Sequence, residues 1–329
     1  MKLITRYFVI LFIATTFFSS FTSTAQETKD KKLSEFELVV QYLESNGNFI
    51  NTMAPALILA DEIKENLKNP KYLVLDIRSE SWFEYGHIKK AKNVKAATLI
   101  NYFENEIDPS SYDKITIACY SGQSAAYYTS LLRLYGYNNV FNLKWGMSSW
   151  DEEFATNVWL KNSKNSYADK LETSANSMLE VQEHPTLNTG KTTAEEILKV
   201  RIKETIKKPY KEFIVKVDSI FNNPKDFYIV NYVNEEQYNL GHIEGSVRYQ
   251  PKASLASKTS LYTLPNNNQV VVSCMTGQSA AYIVAYLNIL GYKAANLAYG
   301  ANSYMNKTLI EKGWNGFTNK EIKNYPVVE

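Results

Sequence analysis

Short apolar runs of β type alternate with longer stretches of helical spacing along this chain, and the alternation occurs twice. In the first half, residues 38–43 and 57–67 carry apolar side chains at helical spacing, and Asn69-Pro70 stops the second of these helices. Tyr72-Leu73-Val74-Leu75 then reads as a buried strand running into Asp76-Ile77-Arg78. Ile115-Thr116-Ile117-Ala118 predicts another strand, followed by Cys119 and a helical run that ends at Gly136-Tyr137. Residues 140–143 predict a third strand, ending at Trp145-Gly146, and Trp150 closes the unit. The second half repeats this order with Val270-Val271-Val272-Ser273, Cys274 and a helical run ending at Gly291-Tyr292.

The spacing makes this an internal duplication. Cys119 and Cys274, His87 and His242, and Gly136 and Gly291 are each separated by 155 residues, and Gly146 and Gly300 by 154. A constant offset over that span leaves no net insertion between landmarks, so two domains of one kind follow in tandem. The expected division is a signal peptide at 1–25, a first domain at 35–160, a linker at 161–190 and a second domain at 191–320. The linker stretch is polar, and Thr193-Ala194-Glu195-Glu196 after it fits a capping box that starts a helix. Strands alternating with helices predict α/β domains, each a mostly parallel sheet with helices on both faces. In such sheets the ligand crevice lies at the carboxyl ends of the strands, where both Cys fall.

Composition changes the picture in a few places. The length of 329 residues suits two domains, and 45% hydrophobic content lets each bury a core. A formal net charge of +2 gives no reason to expect a nucleic acid or a membrane surface as partner. The 24 Tyr are scattered and read as packing and surface residues. At the N-terminus Lys2 and Arg6 precede an apolar stretch at 7–18, too short to span a bilayer, and Ser23-Thr24-Ala25 offers a cut before Gln26. The chain is therefore expected to be exported, with the periplasm as destination or secretion as the other outcome, and with no membrane attachment after cleavage. An exported chain with 2 Cys invites a disulfide. Equivalent positions in separate repeats argue against one, because a bridge needs the two loops face to face.

Each Cys heads a loop that opens into a helix: Cys119-Tyr120-Ser121-Gly122-Gln123-Ser124 and Cys274-Met275-Thr276-Gly277-Gln278-Ser279. Backbone N–H groups and the positive end of a helix dipole converge there, an arrangement expected to stabilise a thiolate and bind anions. Gly122 and Gly277 allow the tight curl, and the hydroxyls of Ser121, Ser124, Thr276 and Ser279 add donors. Arg133 and Lys144 lie too far along the chain to belong to the loop and read as surface residues; Trp145 and Trp150 read as core or pocket wall. With 3 His, one of them (His184) in the linker, no metal-binding set is expected, nor any other cofactor.

These landmarks resemble the rhodanese family of sulfurtransferases. The resemblance rests on Asp76-Ile77-Arg78, Gly86-His87-Ile88 with Ala91, the loop at 119–124, Gly136-Tyr137, Trp145-Gly146 and Trp150. In the second half it rests on Gly241-His242-Ile243-Glu244-Gly245-Ser246, the loop at 274–279 and Gly291-Tyr292. It implies two tandem rhodanese-like domains in which Cys119 and Cys274 carry sulfur as persulfides. The loop residues Tyr120, Ser121, Gly122, Gln123, Ser124, Met275, Thr276, Gly277, Gln278 and Ser279 would hold the substrate. The substrates implied are a small sulfur donor such as thiosulfate and a thiol or cyanide acceptor, or a protein acceptor. Many family members carry Arg at the sixth loop position, where Ser124 and Ser279 stand here, and Asn231 and Val233 replace Asp76 and Arg78 in the second half. Asp76 and Arg78 read as support for the loop, and His87 and His242 as structural residues rather than general bases. A phosphatase of the same fold needs a longer loop closed by Arg, and Ala125 and Ala280 stand at that position. The competing reading is a rhodanese-like module that binds or regulates without turnover; such a module has no need of the two Cys.

Overall fold

The computed structural model describes residues 32–329, so the signal-peptide reading of 1–25 lies outside the described residues. The apolar runs become strands. In the first half these are β1 Leu57–Ile58, β2 Tyr72–Asp76, β3 Lys92–Asn93, β4 Lys114–Ala118 and β5 Val140–Leu143. In the second they are β6 Ile214–Val215, β7 Tyr228–Asn231, β8 Val247–Arg248, β9 Val270–Ser273 and β10 Ala294–Leu297. Each half forms one five-stranded sheet, in the orders β1-β5-β4-β2-β3 and β6-β10-β9-β7-β8. Every pairing is parallel. The central strands are apolar on both faces because helices cover both, as parallel sheets require. The fold class is that of two tandem α/β domains, each built on a parallel sheet.

One element departs from the helical reading of 57–67. Leu57 and Ile58 are an edge strand opposite Asn142 and Leu143, and the helix is Ala60–Glu65. The free edge of β5 decides this: Asn142 N–H donates to Ala56 O at 3.0 Å and Lys144 N–H to Ile58 O at 2.9 Å. Tertiary pairing overrides the local period there.

The two halves share one core. The helices that follow the Cys loops, Gln123–Tyr135 and Gln278–Ile289, are buried nearly all round, through Ala126, Leu131 and Leu132 on one and Ile283, Val284 and Leu287 on the other. They pack on each other, with Ser130 Oγ donating to Tyr282 O at 3.0 Å. Tyr282 reaches further into the first half, its hydroxyl bonded to Ala56 O at 2.9 Å and Asn142 Oδ1 at 2.7 Å. Residues 33–329 accordingly form a single compact unit.

The segments that follow each repeat cross to the other one. Residues 161–190 carry little regular structure and lie along the second sheet domain: Tyr167 stacks on Phe221 at 4.1 Å and Glu172 pairs antiparallel with His242. The C-terminal segment does the equivalent on the first domain, where Val328 pairs antiparallel with His87 and Trp150 Nε1 donates to Pro326 O at 3.2 Å. His242 is fully buried under this strap, with Nδ1 at 2.8 Å from Tyr238 O and Nε2 at 3.1 Å from Ser174 O. His87 holds the equivalent turn, its Nδ1 at 2.9 Å from Phe83 O.

Candidate active site

Cys119 follows β4 directly, and the chain curls through Gly122 (φ +81°) into its helix; Cys274 follows β9 and curls through Gly277 (φ +71°). These are left-handed values that favour glycine. The curl turns backbone donors onto the sulfur. Cys119 Sγ accepts from Gly122 N–H at 3.1 Å and Ala125 N–H at 3.3 Å, and Cys274 Sγ accepts from Ala280 N–H at 3.3 Å. A second pair of glycines presses on the loops from outside. Gly146 and Gly300, just after β5 and β10, lie so close that a Cβ would meet the Cys119 carbonyl oxygen at 2.4 Å and that of Cys274 at 2.1 Å. Met147 N–H and Ala301 N–H each bond the same carbonyls at 2.8 Å.

The loop donors expected to stabilise a thiolate are present, and burial opposes them. Cys119 and Cys274 are 1% and 4% exposed. Burial pushes both thiols above their ordinary range, against the opposing pull of the loop donors, which for Cys119 include the Ser124 hydroxyl. Desolvation is the largest influence, and the groups opposing it are uncharged hydrogen-bond donors. Alkylation of both Cys by iodoacetamide should therefore be slower than that of free cysteine at about pH 8.5 and should still climb where the free thiol has levelled off. The linkage has a definite sign. The folded thiol has the higher value, so its contribution to stability is whole below about pH 8.5 and is lost as pH rises through the folded value. Alkylation rates at stepped pH, read per Cys by mass spectrometry, check this; a plateau at the free-cysteine pH would contradict it.

The two loops adjoin, contrary to their expected separation. A Cβ on Gly122 would meet Gln278 Oε1 at 2.5 Å, and one on Gly277 would meet Gln123 Oε1 at the same distance. Both thiols are nevertheless free, each held by its own loop. The Gln side chains, expected as substrate ligands, are engaged across the junction instead. Gln123 Oε1 accepts from Tyr299 N–H at 2.7 Å and Asn296 Nδ2 at 3.2 Å; Gln278 Oε1 accepts from Trp145 N–H at 3.1 Å and Asn142 Nδ2 at 3.3 Å. Each loop thus caps the last strand of the other repeat.

Each loop also faces a hollow whose far wall comes from the other repeat. Tyr120, Ser121, Gln123 and Ser124 border a cleft of about 670 Å³ closed by Tyr210, Lys211 and Tyr299 of the second repeat. Cys274, Met275, Thr276, Gln278 and Ser279 border a smaller cavity of about 220 Å³ closed by Pro55, Leu57 and Lys144 of the first. Sequence reading missed these facing residues because they are distant in sequence from either loop. The common offset of Trp145-Gly146 and Tyr299-Gly300 was the available signal that the strand ends after β5 and β10 play matching parts.

The remaining expected residues fall into place around this frame. Asp76 and Arg78 form a buried ion pair at 2.7 Å, and Arg78 also donates to Gly86 O at 2.7 Å while its guanidinium lies 4.8 Å from the Phe154 ring centroid. Neither borders either hollow, and neither do His87 and His242. Trp145 and Trp150 are buried in the core. Of the two residues read as surface, one is buried and the other half-buried. Arg133 is buried, donating from Nε to Val140 O at 2.6 Å over the Phe141 ring, because a helix packed on all faces leaves it no route to water. Lys144 is half-buried at the Cys274 cavity, held there by parallel pairing of β1 with β5.

The family model for the rhodanese-like domain matches twice, at 59–153 and 216–307. Among solved structures, a rhodanese-related protein of Thermoplasma volcanium is similar at 26% identity, covering 30% of this chain and 92% of its own, with a TM-score of 0.26. A rhodanese-like domain protein of Staphylococcus aureus is similar at 24% identity over 28% of this chain and 88% of its own, with a TM-score of 0.25. The thiosulfate sulfurtransferase from Pseudomonas aeruginosa is similar at 15% identity over 89% of this chain and 49% of its own, with a TM-score of 0.32.

Proposed function

Because this chain belongs to the rhodanese-like domain family, with both repeats matched, we propose that it is a sulfurtransferase in which Cys119 and Cys274 each carry a sulfane sulfur as a persulfide. The observation that carries this reading is the same in both repeats: a thiol at a strand end, its sulfur accepting N–H bonds from the loop that curls around it. The deprotonated Sγ attacks the outer sulfur of a donor such as thiosulfate. A bond forms from Sγ to that sulfur, the donor's S–S bond breaks, and the remainder leaves with the electron pair as sulfite. The N–H groups already aimed at Sγ are suited to stabilise the negative terminal sulfur of the persulfide. A thiol or cyanide, or a nucleophile on a partner protein, then attacks the outer sulfur and releases Sγ as thiolate. Since burial raises both thiols above their ordinary range, turnover should increase with pH through the alkaline range until the fold is lost. The loop residues 119–124 and 274–279 are the proposed substrate-holding set, acting chiefly through backbone donors. Export after cleavage at Ala25 is part of the same proposal; N-terminal sequencing of the protein recovered outside the cytoplasm tests it.

Burial of both sulfurs supports a second reading, a module that presents its loops to a partner without turnover. Intact-mass measurement after thiosulfate treatment separates the two. Addition of one sulfur per competent Cys, removed again by cyanide, is the expected result. Absence of added sulfur on both Cys with thiosulfate and with 3-mercaptopyruvate would favour the binding module.

A further inference from the structure

The Cys274 cavity has a charge that its own loop does not. The loop at 274–279 contributes no ionisable side chain other than the thiol. Yet two lysines border the hollow: Lys252 from the second repeat and Lys144 from the first. No Asp or Glu is among the lining residues, and neither lysine is ion-paired among the described residues. Lys144 Nζ has one hydrogen-bond acceptor, Asn315 Oδ1 at 3.0 Å, which leaves two of its three N–H donors for a ligand. Two positive charges without a counter-charge, beside a thiol in a confined space, attract an anion. The space is about 220 Å³, below the range of about 300–1,000 Å³ usual for drug-sized ligands, so the anion is small.

Building on the sulfurtransferase reading, we propose that Lys144 of the first repeat is a specificity-determining residue of the second repeat's site, binding the oxyanion end of a small anionic sulfur donor in front of Cys274. Lys252 supplies the second charge. The tandem arrangement thereby provides the cation that the loop lacks, and the Cys274 site is complete only when the first repeat is packed against it. The register of β1 on β5 fixes where Lys144 emerges, since Lys144 N–H bonds Ile58 O at 2.9 Å. A neutral donor gains nothing from this lysine, so Lys144 separates anionic from uncharged donors.

The test is protection of Cys274 from iodoacetamide by sulfate, which carries the oxyanion without a transferable sulfane sulfur and does not react with the reagent. Protection is read per Cys by mass spectrometry at fixed pH, as the ratio of rates with and without sulfate. This ratio does not depend on how a variant alters the thiol itself. Lys144→Gln should raise the sulfate concentration for half-protection of Cys274 about tenfold, the weight of one charge-assisted contact. Lys144→Arg should restore most of it, Lys252→Gln should weaken it in the same direction, and protection of Cys119 should not change. Where sulfur transfer is measurable, Lys144→Gln should raise KM for thiosulfate with kcat little changed. Unchanged half-protection in a folded Lys144→Gln protein would overturn the proposal. Lys144-dependent protection in a protein that never acquires a sulfur would sustain the anion site while removing the sulfurtransferase reading.

Discussion

The Cys119→Ser/Cys274→Ser double variant should lose sulfur transfer by a factor of about a thousand or more, the scale on which removing a covalent nucleophile acts. Serine replaces the sulfur with an oxygen that can accept the same N–H bonds, from Gly122 and Ala125 in one loop and Ala280 in the other, so the loops should keep their curl. It cannot hold a sulfane sulfur. The single variants then divide the work. Each should take up one sulfur fewer than the wild-type protein, and the residual turnover of each measures the other repeat alone. If either repeat is only a scaffold, its single variant keeps full turnover and the other single variant matches the double. Steady-state rates with thiosulfate and cyanide, alongside intact masses, read both. Undiminished turnover in the folded double variant would remove both Cys from the mechanism.

Gln278→Leu should cost about 1–3 kcal/mol and lower the melting temperature of the whole protein as one transition. The size comes from one buried donor. Trp145 N–H gives to Gln278 Oε1 and is almost wholly buried, so losing the acceptor leaves it dry at about 1–3 kcal/mol, while Asn142 Nδ2, which also gives to Gln278 Oε1, keeps Gly122 O at 3.4 Å and Leu143 O at 3.5 Å. Leu keeps the approximate volume and cannot accept. The single transition comes from the shared core, in which the helices Gln123–Tyr135 and Gln278–Ile289 bury each other and Tyr282 bonds into the first half. Denaturation followed by Trp fluorescence and by calorimetry checks both parts. All five Trp lie in the first repeat, at 82, 145, 150 and 159, or near the C-terminal end, at 314. A fluorescence transition that parts from the heat signal would show the halves unfolding separately and contradict the coupling. A loss well below about 1 kcal/mol would show that water or another side chain satisfies the Trp145 N–H.

How much of this was legible in the chain divides along a physical line. The sequence by itself determined the repeat, because a constant offset of 155 between the Cys, His and Gly-Tyr landmarks is a property of order alone. It determined the parallel α/β class, since the apolar runs at 72–75, 115–118 and 270–273 are too short for helices and are separated by helical spans. It also located the Cys loops at strand ends and the tight curls at Gly122 and Gly277, where local backbone chemistry suffices. Leu57-Ile58 was misread because two residues carry no period, and only the open edge of β5 made them a strand. Arg133 and Lys144 were misread because a polar residue's burial depends on what packs against its helix or strand, which no local pattern records. The same holds for the thiols: the donors that favour a thiolate are local and were foreseen, while the desolvation that opposes them depends on everything packed around each sulfur. The reciprocal grip of Gln123 and Gln278, the crossed straps at Glu172 and Val328, and the lysine that the first repeat lends to Cys274 join residues more than 80 positions apart in nearly every case, with the strap pair Glu172–His242 closest at 70. Only tertiary structure brings such positions together, since burial and hydrogen bonding act on distance in space and the chain order fixes distance along the backbone alone.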